Sequence, residues 1–206
     1  MNDRLAAVLA AIDDANGRDP GREPDGTGRE QPKSLLYGRR MSATLDAYRP
    51  GAPEVLKIAA RAQHIERWTI PRASYPEGRI AYLAWRKDLQ QHHARRTGEI
   101  MAAAGYEEAD IARAGALLKK ERLKADPDVQ VLEDVICLVF LAHEAPEFIA
   151  KHDDGKVRDI LAKTARKMSP EGIAAAGKLK LDGRLARLLG EALAAAPGGE
   201  GPPAAP

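Results

Sequence analysis

Apolar residues recur at three- and four-residue intervals along most of the chain, the spacing of helices that each bury one face. Leu5, Val8, Leu9 and Ile12 form the first such stripe, which Asn16-Gly17 closes. Residues 18–32 break the rhythm: this Gly/Pro/Asp-rich stretch exceeds the usual connection of about four to six residues and is expected to be a flexible loop or lid. Leu35, Met41 and Leu45 resume helical spacing over residues 34–48, until Pro50-Gly51 and Pro53 stop that helix and open the next. On the new helix Val55, Leu56, Ile58, Ala59 and Ala62 lead to His64.

Pro71 and Pro76 prevent further continuation, because each removes a backbone donor and restrains its predecessor. Residues 77–104 read as the longest helix, ended by Gly105, and residues 107–119 as another. Asp126-Pro127 opens a helix that from Val129 to Ala142 is apolar nearly all round after Asp134, as expected of a helix surrounded by others. Residues 146–151, 156–168 and 169–193 complete the helical stretches, with Ser169-Pro170-Glu171 as cap and first turn. The expectation is an all-α, single-domain bundle of about eight helices over residues 1–196, with a disordered Gly/Pro/Ala tail at 197–206.

Composition agrees with a packed protein: hydrophobic residues are 44% and charged residues 30%, enough apolar surface to offset chain entropy. Aromatics are only 4%, and abundant alanine favours close helix packing, so strands are not expected. A formal net charge of +2 disfavours a non-specific nucleic-acid coat. The single Cys137 lies in an apolar run and is expected to pack as a small hydrophobe. The start lacks the basic and apolar regions of a signal peptide, and no stretch approaches the about 18 apolar residues of a membrane span. The expected location is cytoplasmic.

Chemistry concentrates in three places. Along the longest helix Arg79, Arg86 and His93 recur every seven residues beside Leu89 and Ile100, so they point toward an interior or cleft. Neighbouring His92 aligns instead with Asp88, Arg96 and Glu99, a solvated set. Glu133 and Asp134 lie too far beyond Pro127 to serve only as dipole partners, and carboxylates entering a core need a cation, a metal or a network. The basic run Lys119-Lys120-Glu121-Arg122-Leu123-Lys124 is one source of that cation; alternatively Lys120, Arg122 and Lys124 face a phosphate or carboxylate while the acids hold a metal. Finally, Arg67, Trp68, Arg72, Tyr75, Arg79, Tyr82, Trp85 and Arg86 interleave cations and aromatics, a mixture suited to gripping an anion or stacking a base.

At His64, Trp68-Thr69-Ile70-Pro71-Arg72, Tyr82-Leu83-Ala84-Trp85-Arg86, His93-Ala94 and Leu132-Glu133-Asp134-Val135-Ile136-Cys137-Leu138-Val139-Phe140-Leu141 the chain resembles the uncharacterised DUF4202 family, from about Ala6 to Leu193. More distantly it resembles the HD-domain superfamily of metal-dependent phosphohydrolases. That likeness implies His64, His93 and Asp134 as ligands of a divalent ion (Mn, Mg, Zn or Fe), with Glu133 as fourth ligand or general base. Arg72, Arg79 and Arg86 would then neutralise substrate phosphate, and in the metal-free alternative Arg67 joins them in binding the anion. The pattern departs at two points: Ile65 stands where the doublet's aspartate belongs, and no histidine lies near Tyr37 to Met41.

The leading expectation is therefore an HD-like phosphohydrolase acting on a small phosphorylated or nucleotide substrate. The alternatives are a metal-free module that binds a small anion or RNA through the arginines and the lysine run, an HD-like iron oxygenase, and an interaction scaffold. Nucleic acid is not the favoured partner, no membrane is expected, and the sequence leaves the oligomeric state open.

Overall fold

The computed structural model describes residues 3–194, which form ten α-helices and one small hairpin; the expected tail and the end of the expected domain lie outside the described residues. The chain divides into two compact units, residues 1–135 and 136–206.

In the first unit α1 (Asp3–Gly17), α2 (Lys33–Tyr48) and α3 (Glu54–Arg61) pack on one another, and α4 (Arg79–Ala103) packs against the shorter α5 (Glu108–Lys119). The periodic positions seen in the sequence are the buried ones. Leu5, Val8 and Ile12 of α1 meet Ile58, Ala62 and Ile65 near α3, and Met101, Tyr106 and Ala114 from the α4–α5 pair. Each buried aliphatic side chain contributes about 1.5–3 kcal/mol against its exposed state. On α4 the buried stripe runs Trp85, Leu89, His93, Thr97 and Met101, one residue every turn.

Residues 18–32 contain a short hairpin, which corrects the expectation that no strand forms. Arg22–Pro24 (β1) and Glu30–Pro32 (β2) pair antiparallel, with Glu23 opposite Gln31. Asp25 folds the turn by accepting from the amides of Thr27 and Arg29 and from the Thr27 hydroxyl, and Gly28 takes the left-handed φ of 80°. Buried Asp19 accepts from Ser34 N at 2.9 Å and Ser34 Oγ at 2.6 Å, and Glu23 pairs with Arg40, so the first part of the stretch is tied to α2 at two points. Side-chain chemistry of this kind leaves no periodic signature in a sequence.

α6 (Pro127–Val139) begins in the first unit and continues as a wide turn over Phe140–Glu144. Pro146 follows directly, and its missing N–H and bulky ring account for a ladder that widens there. The second unit then holds α7 (Ala145–Ala150), α8 (Asp154–Ala165), α9 (Pro170–Ala176) and α10 (Gly183–Ala194). α8 packs against α10, and Val157 and Leu161 of the one and Leu185 and Leu188 of the other are buried. The stretch 169–193 thus holds two helices: the side chain of Ser169 caps the first through Gly172 N, and that of Asp182 starts the second through Leu185 N. Arg184 ties this unit together by donating to the carbonyls of Ile149 and His152 and to Asp154. Cys137 is buried, as expected, with Sγ 4.0 Å from the carbonyl oxygen of Thr164.

Candidate anion site

His64 does not ride on a helix. α3 stops at Arg61, and residues 62–66 form tight turns in which Ile65 N donates to Ala62 O. Glu66 adopts the left-handed conformation, φ 49° and ψ 31°, which costs a non-glycine residue about 1 kcal/mol or more. Tertiary contacts hold it there. Its amide donates to Oδ1 of fully buried Asn16 at the end of α1, and its carboxylate receives Arg96 Nε at 2.7 Å and Nη2 at 3.2 Å. The same turn therefore aims His64 at α4.

Two imidazoles meet there. The rings of His64 and His93 have centroids 6.2 Å apart, and Tyr37 of α2 stacks on His64 at 3.8 Å. His93 is 3% exposed, whereas His64 keeps some solvent contact although it lies deep among packed residues. Burial, reinforced by the positive charge of Arg67, pushes His93 down to about 3 from its usual 6.5. Burial also drives His64 well below 6.5, with Arg67, His93, Lys120 and Arg86 acting in the same direction. Both rings are neutral at physiological pH, and Nε2 of His93 has no hydrogen-bond partner. A buried polar atom without a partner is rare enough in proteins to ask what completes it.

The surroundings are cationic. The Arg67 guanidinium lies 4.8 Å from the ring centroid of Trp85, whose Nε1 donates to Ile70 O. Arg86, one turn from Tyr82, lies over that residue's ring at 6.0 Å. Of the residues expected to bind substrate, Arg67, Arg86 and Lys120 are thus the ones whose charge reaches His64. Arg72 instead donates through Nη1 to the carbonyls of Tyr75 and Pro76 and closes its own turn, and Arg79 is exposed at the start of α4. Lys120, Arg122 and Lys124 share a loop in which all three take positive φ, at 58°, 59° and 76°. Arg122 and Lys124 are exposed there, while the side chain of Lys120 turns inward.

The two carboxylates expected to hold an ion are engaged by the protein. Glu133, 2% exposed, pairs with Lys120 Nζ at 2.5 Å. Asp134, 1% exposed, accepts from Tyr48 Oη at 3.0 Å and from Gln130 Nε2 at 3.1 Å. Among the described residues no group of three or more His, Cys, Asp or Glu side chains is placed to share an ion. His64 and His93 are brought together, while Glu133 and Asp134 have partners within the protein. His92 differs from its expected solvated setting: its Nε2 is 3.7 Å from Glu66 Oε2, inside the network that joins Glu66, Arg96 and Glu99.

Sequence reasoning missed Tyr37, Asn16 and Glu66. Asn16 reads in the sequence only as a helix stop, and the coupling of residues 16, 66 and 96 has no linear signal. A left-handed glutamate could not have been foreseen.

What fold and site define together is an all-α protein whose first unit encloses a pair of neutral histidines beside arginine and lysine. The chain belongs to the family described as "Domain of unknown function (DUF4202)", which matches residues 6–189. No curated protein and no solved structure matches it. No helix among the described residues is long and apolar enough to cross a membrane.

Proposed function

We propose that the protein binds a small phosphorylated compound, with the phosphate seated at His64 and His93 and its charge met by Arg67 and Arg86. The observation that carries this reading is Nε2 of His93, buried and without a partner beside a second neutral imidazole. A phosphate oxygen accepts hydrogen bonds from protonated ring nitrogens and from guanidinium forks, and each such charge-assisted bond is about twice as strong as a neutral one. Small size follows from position, since a ring 3% exposed is out of reach of the backbone of a nucleic acid duplex.

The HD-like, metal-dependent phosphohydrolase reading shares these imidazoles but would require the Lys120–Glu133 pair to open. Calorimetry and thermal melting with inorganic phosphate, before and after chelator treatment, separate the two. Saturable heat and a raised Tm that survive chelation, and that are lost in Arg67→Met and His93→Gln, support the anion site. Absence of any phosphate-dependent heat or Tm shift in the wild type overturns it. Binding abolished by chelation and restored by Mn²⁺, with release of phosphate from a phosphomonoester, would replace it with the metal-dependent enzyme.

A further inference from the structure

Two buried polar atoms on the interior stripe of α4 lack partners, and the residues that carry them are one turn apart. Thr97 is fully buried, yet its hydroxyl makes no hydrogen bond among the described residues, and Nε2 of His93 is in the same condition. At four-residue spacing the two Cβ atoms stand about 5–6 Å apart on one face. The Cα–Cβ bond of a helical residue tilts toward the helix start, so Thr97 leans over the turn that carries His93. One segment lies against both turns: His64 sets its ring beside His93, and the Glu66 carboxylate receives Arg96, the residue before Thr97, at 2.7 Å.

A threonine within a helix has an acceptor at hand, the carbonyl one turn back. Thr164 uses it on α8, where its Oγ1 donates to Ile160 O at 2.9 Å. Thr97 has the carbonyl of His93 in the same position and leaves it unused. A buried hydroxyl without a partner is a cost that the isosteric valine would not carry, and two such atoms one turn apart are satisfied together by one incoming polar group. We infer that Thr97 is a further ligand-binding residue of the anion site: its hydroxyl donates to the phosphate that His93 Nε2 holds. This rests on the anion-binding reading above and extends that site one turn along α4. A hydroxyl suits the place because it carries a proton to give and lone pairs to accept one, and so serves a phosphate in either of its common protonation states.

Thr97→Val, Thr97→Ser and His93→Gln are compared with the wild type in two measurements, calorimetric binding of inorganic phosphate and urea unfolding without ligand. Thr97→Val is expected to bind phosphate about tenfold or more weakly, the contribution of a hydrogen bond to a charged group. Its ligand-free urea midpoint should be unchanged or raised, since no bond within the protein is lost. Thr97→Ser keeps the hydroxyl and should stay within about threefold of the wild-type affinity. Unchanged phosphate affinity in Thr97→Val overturns the inference, and the anion site stands if His93→Gln still loses binding. Equal weakening in Thr97→Val and Thr97→Ser overturns it as well, because the hydroxyl is then not the cause. So does a Thr97→Val variant destabilised without ligand, whose hydroxyl had a resident partner. A wild type that binds no phosphate overturns the anion site and this inference with it.

Discussion

The phenol ring of Tyr37 lies nearly parallel to the imidazole of His64, 3.8 Å between centroids and 15° between planes. Tyr37 is 7% exposed, so the stack fills space at the joint between α2 and the turn after α3. Truncation should therefore cost what large aromatics in cores cost. Tyr37→Ala is expected to lower stability by about 3–5 kcal/mol and to weaken phosphate binding, because His64 loses the surface that orients it. Urea unfolding with calorimetry on the same sample checks both; a loss below about 1 kcal/mol would show that the stack is not part of the core.

Acid should weaken the fold through the two buried histidines. In the unfolded chain each titrates near its usual 6.5, whereas in the fold His93 is pushed down to about 3 and His64 well below 6.5. Between those values the unfolded chain holds more protons, so stability present above pH 6.5 is lost as pH falls toward the folded values. The slope is up to about 1.4 kcal/mol per pH unit for each histidine. His93→Gln removes one titration and should flatten the fall in urea midpoint between about pH 7 and about pH 4.5. An unchanged slope would contradict the burial of that ring.

Lys120 and Glu133 form a buried ion pair, with side-chain exposures of 14% and 3%. Lys120→Met leaves a carboxylate in the interior opposite an apolar chain and should destabilise by about 3–5 kcal/mol. The double variant Lys120→Met/Glu133→Leu should recover most of that loss, since a buried pair is often no better than packed hydrophobes. Equilibrium unfolding of the four-member cycle reads the coupling. A double variant whose loss equals the sum of the two single losses would mean that the pair does not exist in solution.

Asn16 is expected to matter more than its place at a helix end suggests. Fully buried, it accepts from the Glu66 amide and so holds the left-handed turn that presents His64. Asn16→Ala should cost about 1–3 kcal/mol, the penalty for a buried donor left unmet, and should reduce phosphate affinity in step. Melting curves with and without phosphate make the comparison; full affinity in a destabilised variant would separate the turn from the site.

The expected helices hold in type and nearly in extent where apolar spacing was strong. Residues 34–48 became Lys33–Tyr48, and residues 77–104 became Arg79–Ala103. His93 lies on a buried stripe with Leu89, as its position on that helix implied, and Glu133 and Asp134 entered the interior with partners, as buried carboxylates must. Arg79 and Arg86 show the limit of this reasoning. They share a spacing of seven, yet Arg79 is exposed at the helix start while the charge of Arg86 reaches His64, because a helix end need not be covered where its middle is.

Periodicity alone determined that this protein is built of helices, since burying one stripe per segment is a local property of side-chain spacing. It also marked the residue types from which a charged interior could be made. Which of them meet was decided by contacts between residues far apart in the chain: Asn16 on the amide of Glu66, Tyr37 on the ring of His64, Lys120 on Glu133. Those contacts set the left-handed turn and the hairpin as well. Such geometry depends on hydrogen-bond partners and packing that exist only once the helices have assembled.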